Sequence, residues 1–344
     1  MKKLKLLLLT VLLPVLAVFL WGFLTLRNNR ANGFVRKFKK APILKCSYLS
    51  PIKLTGISGC TDHTIFFKTV TPNLACATPF DLKTFKSYTF NFGVNSRLNR
   101  NFDLEIDSPF FRLYGGNLLQ VFSGNLNNPG QFNSDTISHQ LFDDAVYIGN
   151  NRFLIRSYNH AIKDFSISKT QKTHLNSISD PFPITAHDMG FSSQSTMLFH
   201  KPSQHIIVVY KLRNKIICLD TNLKNVYTAN TLDTISQTGL NYQVTKVHRG
   251  KKGTIAGAPK YTNYRACIDN NNLFIYSKVT SDNVSDPSAP AIDLYDATNG
   301  KYRFSFELPN HDNSKLYDFK VRNNKLVALF RNNQIKVYQF NNNQ

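Results

Sequence analysis

The chain shows two patterns of apolar residues. Near the N-terminus, 21 consecutive residues from Leu6 to Leu26 carry no charge. At about 1.5 Å per residue, a helix of this length spans the roughly 30 Å hydrocarbon core of a bilayer. Beyond Ala41 the apolar runs are short, rich in β-branched and aromatic residues, and separated by Asn, Gly, Asp and Pro. The second pattern has no helical periodicity, so the sequence predicts one transmembrane helix followed by an all-β domain.

One short unit recurs through the β region and consists of an apolar strand, a polar turn and a second apolar strand. Three copies are clear and three are looser: YIGNNRFLIRSY at Tyr147–Tyr158, CIDNNNLFIYSK at Cys267–Lys278, FKVRNNKLVALF at Phe319–Phe330, and then Phe110–Phe122, Met197–Tyr210 and Lys53–Phe67. Asn suits these turns because it tolerates the left-handed backbone conformation that tight hairpins need. The turns fall near residues 61, 116, 150, 203, 271 and 323, a spacing typical of four-stranded propeller blades.

A second hairpin follows several of these units, around Asp81, Asp220 and Asp296, and predicts the third and fourth strands of each blade. The last unit ends at Phe340, one strand short. We therefore expect Pro42–Leu49 to pair with Ile335–Phe340 and close the ring, which hides both exposed strand edges. In this arrangement residues 42–344 resemble the six-bladed β-propellers of the TolB-like and NHL-like group. The resemblance implies a fold completed by a terminal strand but no activity, because propellers include both enzymes and binding modules.

The N-terminal segment predicts membrane attachment. Lys2, Lys3 and Lys5 precede the apolar run, which exceeds the roughly 7–15 apolar residues of a signal peptide and ends without a small-residue cleavage site. We therefore expect a signal-anchor, with a long cleaved signal peptide as the alternative. The predicted organisation is a basic N-terminus at 1–5, a transmembrane helix at 6–26, a basic linker at 27–41 and the propeller at 42–344.

The orientation in the membrane rests on two opposing signals. Basic residues follow the helix, and the positive-inside rule alone would keep that side in the cytoplasm. A basic and then apolar N-terminus is, however, an export signal, and long domains translocate largely regardless of charge. The C-terminal domain is therefore predicted to lie outside the cytoplasm. The linker is then either a basic stalk beside anionic head groups or a solvated tether.

Composition narrows the function classes. The chain is 42% hydrophobic and 18% charged, which excludes general disorder, and Glu occurs only as Glu105 and Glu307. The net charge is +21, but nine of the 42 basic residues lie in the first 40 positions, where no acidic residue occurs, so the rest of the chain carries +12. These charges are dispersed over the predicted blades, and no nucleic-acid partner is expected.

No local motif names a reaction. The sequence has no HExxH, CxxC, GxSxG or GxGxxG motif, and the Gly-rich stretch Arg249–Lys260 lacks the Lys-Ser/Thr and the strand-loop-helix setting of a phosphate loop. Four polar clusters are interpreted as turn residues, with a catalytic or metal-binding role as the less favoured alternative: His187-Asp188, His311-Asp312, Asp143-Asp144 and Asp269–Asn272. No metal or cofactor is predicted.

The five cysteines are an odd number in a chain large enough to fold without disulfides. Cys218 and Cys267 lie within apolar strands and are expected to be small core residues. Cys46, Cys60 and Cys76 fall near the predicted closure, where export would allow one disulfide among them. The sequence leaves the pair open.

The candidate ligand-binding residues lie between the fourth and fifth blades. Lys246, Arg249, Lys251 and Lys252 are clustered in the long insertion Leu232–Tyr264, which also contains tyrosines. Basic and aromatic loops can bind anionic ligands or stacked rings, but a solvated loop is the favoured interpretation, with an anionic-ligand site at these four residues as the alternative.

Two functions remain. The first is a membrane-anchored, non-catalytic propeller that binds a protein, glycan or other ligand outside the cytoplasm. The alternative is a propeller enzyme, a hydrolase or lyase acting on a sugar or lactone in the central channel. Clustered carboxylates or histidines in the channel would favour the enzyme, whereas an apolar or Asn/Ser lining would favour binding.

Overall fold

The computed structural model of the protein describes most of the chain beyond residue 31. The described residues are 14–16, 18, 32–71, 74–84, 86–92, 102–115, 119–137, 141–159, 162, 164–170, 175–179, 190–237, 242–247, 250–255, 259–309 and 311–340. Among them, no helix is long and apolar enough to cross a bilayer. The predicted anchor at 6–26 lies outside the described residues except for 14–16 and 18. His187, Asp188 and Arg249 also lie outside them.

Beyond residue 31, regular structure in these ranges consists of 26 β-strands. In chain order they are β1 (Ile43–Leu49), β2 (Leu54–Cys60), β3 (Thr64–Thr71), β4 (Leu74–Asp81), β5 (Phe90–Asn91), β6 (Asp103–Asp107), β7 (Phe110–Tyr114), β8 (Gln120–Asn125), β9 (Phe132–Thr136), β10 (Phe142–Tyr147), β11 (Phe153–Asn159), β12 (Asp164–Thr170), β13 (Leu175–Ser179), β14 (Ser195–His200), β15 (His205–Tyr210), β16 (Ile216–Leu219), β17 (Asn225–Ala229), β18 (Tyr242–Val247), β19 (Gly250–Ile255), β20 (Asn263–Asp269), β21 (Asn272–Ser277), β22 (Ala291–Asp296), β23 (Tyr302–Glu307), β24 (Leu316–Arg322), β25 (Lys325–Phe330) and β26 (Gln334–Gln339).

Of these strands, 24 form six four-stranded antiparallel sheets, the blades of a β-propeller. Blades 1 to 5 are β2–β5, β6–β9, β10–β13, β14–β17 and β20–β23, each paired in chain order. Blade 6 has the order β1-β26-β25-β24, with β1 supplied from the N-terminal end of the domain. The predicted all-β, six-bladed fold is therefore confirmed.

The ring closes where the sequence predicted. β1 runs antiparallel to β26, with Ile43 opposite Gln339 and Leu49 opposite Gln334. This pairing supplies the outer strand that the final blade lacks and covers the edge of β26, which would otherwise be open. The predicted pairing of Pro42–Leu49 with Ile335–Phe340 agrees with this register to within one residue at each end.

Asn residues hold three inner hairpins in the expected way. Asn150 and Asn151 have φ values of 53° and 52°, and Asn323 and Asn324 have values of 47° and 60°. Asn270 also has a positive φ, of 50°, at the β20–β21 turn. Turns with positive φ match the right-handed twist of the two strands they connect, and Asn adopts that conformation at little cost. Asp269–Asn272 is therefore a hairpin turn, as predicted.

The predicted repeat is wrong in phase at one blade. The unit at Phe110–Phe122 was expected to be the first hairpin of blade 2, but it corresponds to β7 and β8, the second and third strands. The first hairpin is β6–β7, where Asp107 pairs with Phe110 across a turn that contains only Ser108 and Pro109. β6, with the sequence DLEID, alternates charged and apolar residues and is too polar to match the apolar unit.

The core is a closed series of apolar interfaces between neighbouring blades. One buried cluster lies between blades 6 and 1 and contains Ile57, Phe67, Val327 and Ile335. Five equivalent clusters join blades 1 and 2, 2 and 3, 3 and 4, 4 and 5, and 5 and 6. Each sheet is thus buried on both faces, and each blade depends on both neighbours. Cys76, Cys218 and Cys267 are buried, and none of the five cysteines, which also include Cys46 and Cys60, forms a disulfide.

The N-terminal segment is attached to the outer edge of blade 5. Residues 32–40, called the strap below, lie beside β23, and Phe38 forms a parallel bridge with Ser305. The Arg36 side chain is buried and ion-paired with Asp293 in β22, with 2.7 Å between Nε and Oδ1. The chain then continues directly into β1 at the outer edge of blade 6.

The long insertion between blades 4 and 5 contains regular structure. Its strands β18 and β19 form a two-stranded antiparallel sheet, in which Tyr242 pairs with Ile255 and Val247 with Gly250. The segment predicted to be a loop is therefore partly a hairpin.

Candidate ligand site in the central channel

The inner strands of all six blades surround a central channel. The cavity inside it has a volume of about 920 Å³, which lies in the usual range for small-molecule sites. Because each blade repeats the same strand order, the inner strands β2, β6, β10, β14, β20 and β24 run in the same direction. We call the end of the channel at which these strands begin the upper mouth.

The channel is lined by charged side chains of both signs. Six carboxylates and six cations contribute to the lining: Asp103, Glu105, Asp107, Asp143, Asp144 and Asp318, with Lys68, Arg156, Lys201, Lys211, Arg265 and Lys320. The lining is thus neither apolar nor rich in Asn and Ser. By the criterion set from the sequence, the number of carboxylates favours catalysis, but their pairing also has to be considered.

A β-bulge brings two adjacent aspartates to the channel. In β10 the register against β11 shifts between Phe142 and Asp144, so Asp143 is an extra residue and Asp144 pairs with Arg156. The normal alternation of strand side chains is broken at such a bulge. Both Asp143 and Asp144 therefore line the cavity, and the predicted turn role for this pair is wrong.

The same bulge recurs at the upper mouth in other blades. The register shifts after the first residue of β2, β20 and β24, just as in β10. The positions that follow the bulge are occupied by Asp144 in β10, Arg265 in β20 and Asp318 in β24, and all three line the cavity. Bulges redirect side chains and are common next to functional sites. One repeated backbone feature thus points charged residues from three blades into the same space.

Most channel carboxylates are neutralised by a nearby cation. Asp143 is ion-paired with Arg156, whose guanidinium also donates a 2.7 Å hydrogen bond to the Gly190 carbonyl. Four looser or more exposed pairs have the following separations: Lys68–Asp103 3.6 Å, Arg112–Glu105 3.9 Å, Lys201–Asp107 2.6 Å and Arg265–Asp318 3.8 Å. Asp318 also accepts a 2.8 Å hydrogen bond from the Ile57 backbone N–H, so it ties blade 6 to blade 1.

Of the twelve charged lining residues, Lys320 has no such ion pair with a described residue, and at the upper mouth the same is true of Asp144 and Lys211. Neither side chain forms a hydrogen bond or an ion pair within 4 Å with another described residue. Burial raises the pKa of Asp144 to about 7, and the charges of Asp103 and Asp143 act in the same direction against the opposing effect of Lys211. Burial also lowers the pKa of Lys211, although Asp144 partly offsets this effect. The pair thus holds a carboxyl that titrates near neutrality close to an amine that is easier to deprotonate than usual.

This arrangement can bind and exchange protons with a polar ligand. A carboxyl with a pKa near 7 is able both to donate and to accept a proton at physiological pH. A desolvated ammonium beside it can bind an oxygen atom and stabilise negative charge. Among the described residues, no three His, Cys, Asp or Glu side chains are grouped closely enough to hold a metal ion.

A second cavity, of about 770 Å³, lies between blades 2 and 3. In this crevice the Arg112 guanidinium lies 3.5 Å from the centroid of the Tyr147 ring. Its walls also include Phe110, Asn133 and Asp135. Because Arg112 is held between Tyr147 and Glu105, the crevice presents fewer available charges than the upper mouth.

The sequence-predicted ligand residues lie elsewhere. Lys246 is in β18 and Lys251 and Lys252 are in β19, where Lys246 pairs with Lys251 and Thr245 with Lys252. Arg249, two residues after the end of β18 in the sequence, lies outside the described residues. The hairpin brings three of the four residues to neighbouring rungs, and their role in binding stays a prediction.

His311 and Asp312 do not act together. His311 Nε2 is 3.2 Å from Asp286 Oδ2, whereas the Asp312 carboxylate accepts a 2.6 Å hydrogen bond from Lys336. Each residue thus fixes a different local contact, which agrees with their interpretation as turn residues.

The channel residues were missed because they are scattered in sequence and come together only through the ring. A signal was nevertheless present. The segments FDD, NYR and LYD begin the inner strands of blades 3, 5 and 6, and each has a charged residue at its third position. Alignment of the repeats on their inner strands would have brought Asp144, Arg265 and Asp318 into one column.

Comparisons with known proteins define the fold. No protein-family model matches the chain, and no curated protein matches it. A DUF4221-family member from Bacteroides vulgatus is 9% identical with a TM-score of 0.55, over 89% of this chain and 98% of that one. A streptogramin B lyase is 10% identical with a TM-score of 0.51, over 86% and 97%. BamB from Moraxella catarrhalis is 12% identical with a TM-score of 0.40, over 85% and 87%. At such low identities the first two matches show a shared propeller fold and nothing further.

Proposed function

We propose that this protein is a membrane-anchored β-propeller that binds a small polar ligand at the upper mouth of its central channel. The observation that carries the proposal is the pair Asp144 and Lys211, which line the cavity without a hydrogen-bonding partner among the described residues. Buried polar groups are normally satisfied, and groups left open toward a cavity are available to a ligand. The other charged pairs stabilise the wall of the channel and restrict which ligands can enter it.

The ligand should offer both hydrogen-bond donors and acceptors. Asp144 accepts hydrogen bonds when it is ionised and can donate one when it is protonated. Lys211, when charged, can donate hydrogen bonds but cannot accept them. Because six carboxylates and six cations line the channel, a strongly charged polymer of one sign would meet repulsion from half of the charged residues. A sugar or the end of a glycan fits these conditions, and so does a short zwitterionic peptide.

The proposed location is outside the cytoplasm. It rests on the 21-residue uncharged segment at 6–26 and on the export-like basic start at 1–5. Flotation of the full chain with membranes after carbonate washing would support the anchor. Digestion of the propeller by protease added to intact spheroplasts would support its external location, whereas protection until lysis would reverse the topology.

Ligand binding can be tested by thermal shift with the detergent-solubilised full chain. The probes are neutral oligosaccharides, uronic-acid oligosaccharides and dipeptides, since a bound ligand raises the melting temperature. We expect one class to stabilise the wild type and to lose its effect in Asp144→Asn and in Lys211→Met. Asn133→Ala, in the crevice between blades 2 and 3, is the matched control and should retain the shift. The proposed site would be contradicted by equal shifts in the wild type and the three variants, or by the absence of a shift with every class of probe.

Catalysis at the same mouth is the second candidate, favoured by the raised pKa of Asp144, about 7. A hydrolase or lyase needs a group that can exchange a proton near neutral pH, and Asp144 beside Lys211 meets that need. Chromogenic glycosides and lactones provide the assay. A rate that depends on a single ionisation near pH 7 and is lost in Asp144→Asn would identify an enzyme. Binding that survives without any turnover would identify a non-catalytic receptor.

A further inference from the structure

The strap is fixed to the propeller by a buried ion pair and several hydrogen bonds. Arg36 donates from Nε to Asp293 Oδ1 at 2.7 Å and from Nη2 to Asp293 Oδ2 at 3.2 Å, and Ser305 Oγ donates to the same carboxylate at 2.6 Å. Both partners of the ion pair are almost fully buried. A bidentate, buried pair of this kind holds its two segments in one geometry.

The insertion between β21 and β22 holds the other end of the strap. The Asp282 carboxylate accepts hydrogen bonds from the Asn32 and Gly33 backbone N–H groups at 2.6 and 3.1 Å. Asn283 accepts from the Arg36 N–H at 3.0 Å and donates to the Arg36 carbonyl at 2.8 Å. This insertion, which interrupts the sequence repeat, thus has a structural role, because it binds residues 32–36 to blade 5.

The strap and β1 together expose a face without acidic residues. Phe34 and Arg36 are buried, whereas the alternate residues of the strap are exposed. Exposed and half-buried residues also alternate through β1, where a β-bulge between Leu44 and Cys46 makes the exposed outer row draw on both faces of blade 6. Large apolar side chains project from this outer row, with exposures of 61% at Val35, 45% at Ile43 and 66% at Leu49. Lys37, Lys39 and Lys45 are exposed between them. No acidic residue occurs anywhere before Asp62 in the sequence.

The position of this face relative to the predicted anchor is limited by chain length. Only five residues separate Leu26 from Asn32, so the two are at most about 20 Å apart even in a fully extended chain. The face is therefore held within reach of the lipid head groups. Mixed apolar and Lys side chains are the composition that binds an anionic membrane surface, where each cation contributes about 1 kcal/mol.

We propose that the outer row Val35, Lys37, Lys39, Ile43, Lys45 and Leu49 rests on anionic lipid head groups, so that the propeller stands on the rim formed by blades 5 and 6. The strap and β1 are outer elements of their blades, and the axis of the ring then runs along the membrane. Both mouths of the channel face the aqueous phase in this orientation. The inference rests on the anchor in the proposed function but does not depend on what the channel binds.

Single-tryptophan fluorescence gives a direct test, because Trp21 is the only tryptophan. The variants Trp21→Phe/Val35→Trp and Trp21→Phe/Leu141→Trp, in the full chain, place one probe on the proposed face and one at an exposed position before blade 3. Both are reconstituted into phosphatidylglycerol/phosphatidylcholine vesicles that contain head-group spin-labelled phosphatidylcholine. We expect several-fold stronger quenching at position 35 than at position 141. Equal quenching at the two positions would overturn the proposal.

Charge reversal tests the role of the lysines. Lys37→Glu/Lys39→Glu, added to the position-35 probe, should reduce quenching in the anionic vesicles. Lys83→Glu/Lys86→Glu, the same change at exposed lysines of blade 1, is the matched control and should leave quenching unchanged. An equal effect of both double substitutions would contradict specific contact by this face.

Flotation separates this inference from the anchor. Vesicles that float with bound protein but do not quench position 35 would reject the rim contact while the anchor stands. Protein that fails to float would reject the anchor and the rim contact together, whereas the channel-binding experiment would be unaffected.

Discussion

One extra residue in β10 decides which side chains reach the channel. The bulge at Asp143 lets both it and Asp144 line the cavity, but only Asp143 has a neutralising partner, Arg156. Asp144 is left with a pKa near 7, so its ionisation is coupled to folding. The free energy of unfolding should therefore depend on the ionisation of this one carboxyl.

Asp144→Asn should therefore remove a pH-dependent loss of folding stability. Between pH 4 and 7 an unfolded chain has already ionised this carboxyl, while the native protein still holds the proton, so native stability falls as the pH rises through that window. Above pH 7 the loss is complete. We expect Asp144→Asn to be more stable than the wild type by about 1–3 kcal/mol at pH 8 and equal to it near pH 3. Urea unfolding at both pH values measures the difference, and a gain of equal size at pH 3 would rule out ionisation as its cause.

Arg36 fixes the strap at the level of a single side chain. Its loss would leave Asp293 buried without a cation, a situation that costs about 3–5 kcal/mol unless the segment detaches. We expect Arg36→Ala to increase hydrogen exchange and proteolysis across residues 32–40. The neighbouring Lys37→Ala is the control, because the Lys37 side chain is exposed and the hydrogen bonds of this residue to Tyr302 and Ser305 are made by its backbone. Similar protection in both variants would mean that the ion pair does not hold the strap.

At the scale of elements, the blades pack so closely that some positions admit no side chain. A Cβ atom at Gly59 in β2 would lie 2.0 Å from the Ile106 carbonyl oxygen in β6. The clash is with backbone, so the two inner strands would have to separate. Gly130 has no atom within 4 Å of such a Cβ and lies in the turn before β9.

Gly59→Ala should accordingly destabilise the protein by about 1–3 kcal/mol, as overpacking does in other cores. Gly130→Ala should change stability by no more than about 0.5 kcal/mol, as is usual for surface substitutions. Denaturant unfolding of the two variants provides the comparison. A neutral Gly59→Ala would imply that blades 1 and 2 are not in the close contact described here.

Some elements could be predicted from the sequence and others could not. Asn turns and apolar strand pairs, such as β24–β25, are local features, so they were predicted correctly. β6 was missed because its charged residues face the channel rather than bulk solvent, and their alternation looked unlike that of a buried strand. The Asp143-Asp144 pair was assigned to a turn because a bulge has no reliable local signal. The docking of residues 32–40 depends on Asp282, Asn283 and Asp293, about 250 positions away, which no local pattern links to Arg36.

For the whole molecule, closure of the ring is the condition on which every blade depends. The six interfaces form a closed series, so loss of one leaves two blades with exposed apolar faces. Ile335 and Val337 in β26 are buried at the interface with blade 1, and β26 also pairs with β1.

Removal of residues 334–344 should consequently unfold or aggregate the protein. It deletes β26, separates β1 from blade 6 and exposes apolar side chains worth about 1.5–3 kcal/mol each, a large part of a typical 5–15 kcal/mol stability. Removal of 341–344 alone is the control and should leave melting unchanged, because these residues follow the last strand. Melting of the long deletion at the wild-type temperature would show that the ring does not rely on this strand.

The route of the N-terminal segment has a mechanical consequence. The chain lies on the outer edge of blade 5, crosses the boundary between two blades and then becomes the outer strand of blade 6. If the predicted anchor is pulled, the force acts first on the Arg36–Asp293 ion pair and on the hydrogen bonds of Asp282 to Asn32 and Gly33, and only then on β1. A tether joined directly to β1 would peel that strand from β26 one hydrogen bond at a time and open the ring. In the proposed membrane-anchored protein, the strap thus transfers a pulling force to blade 5 and keeps it away from the pairing of β1 with β26.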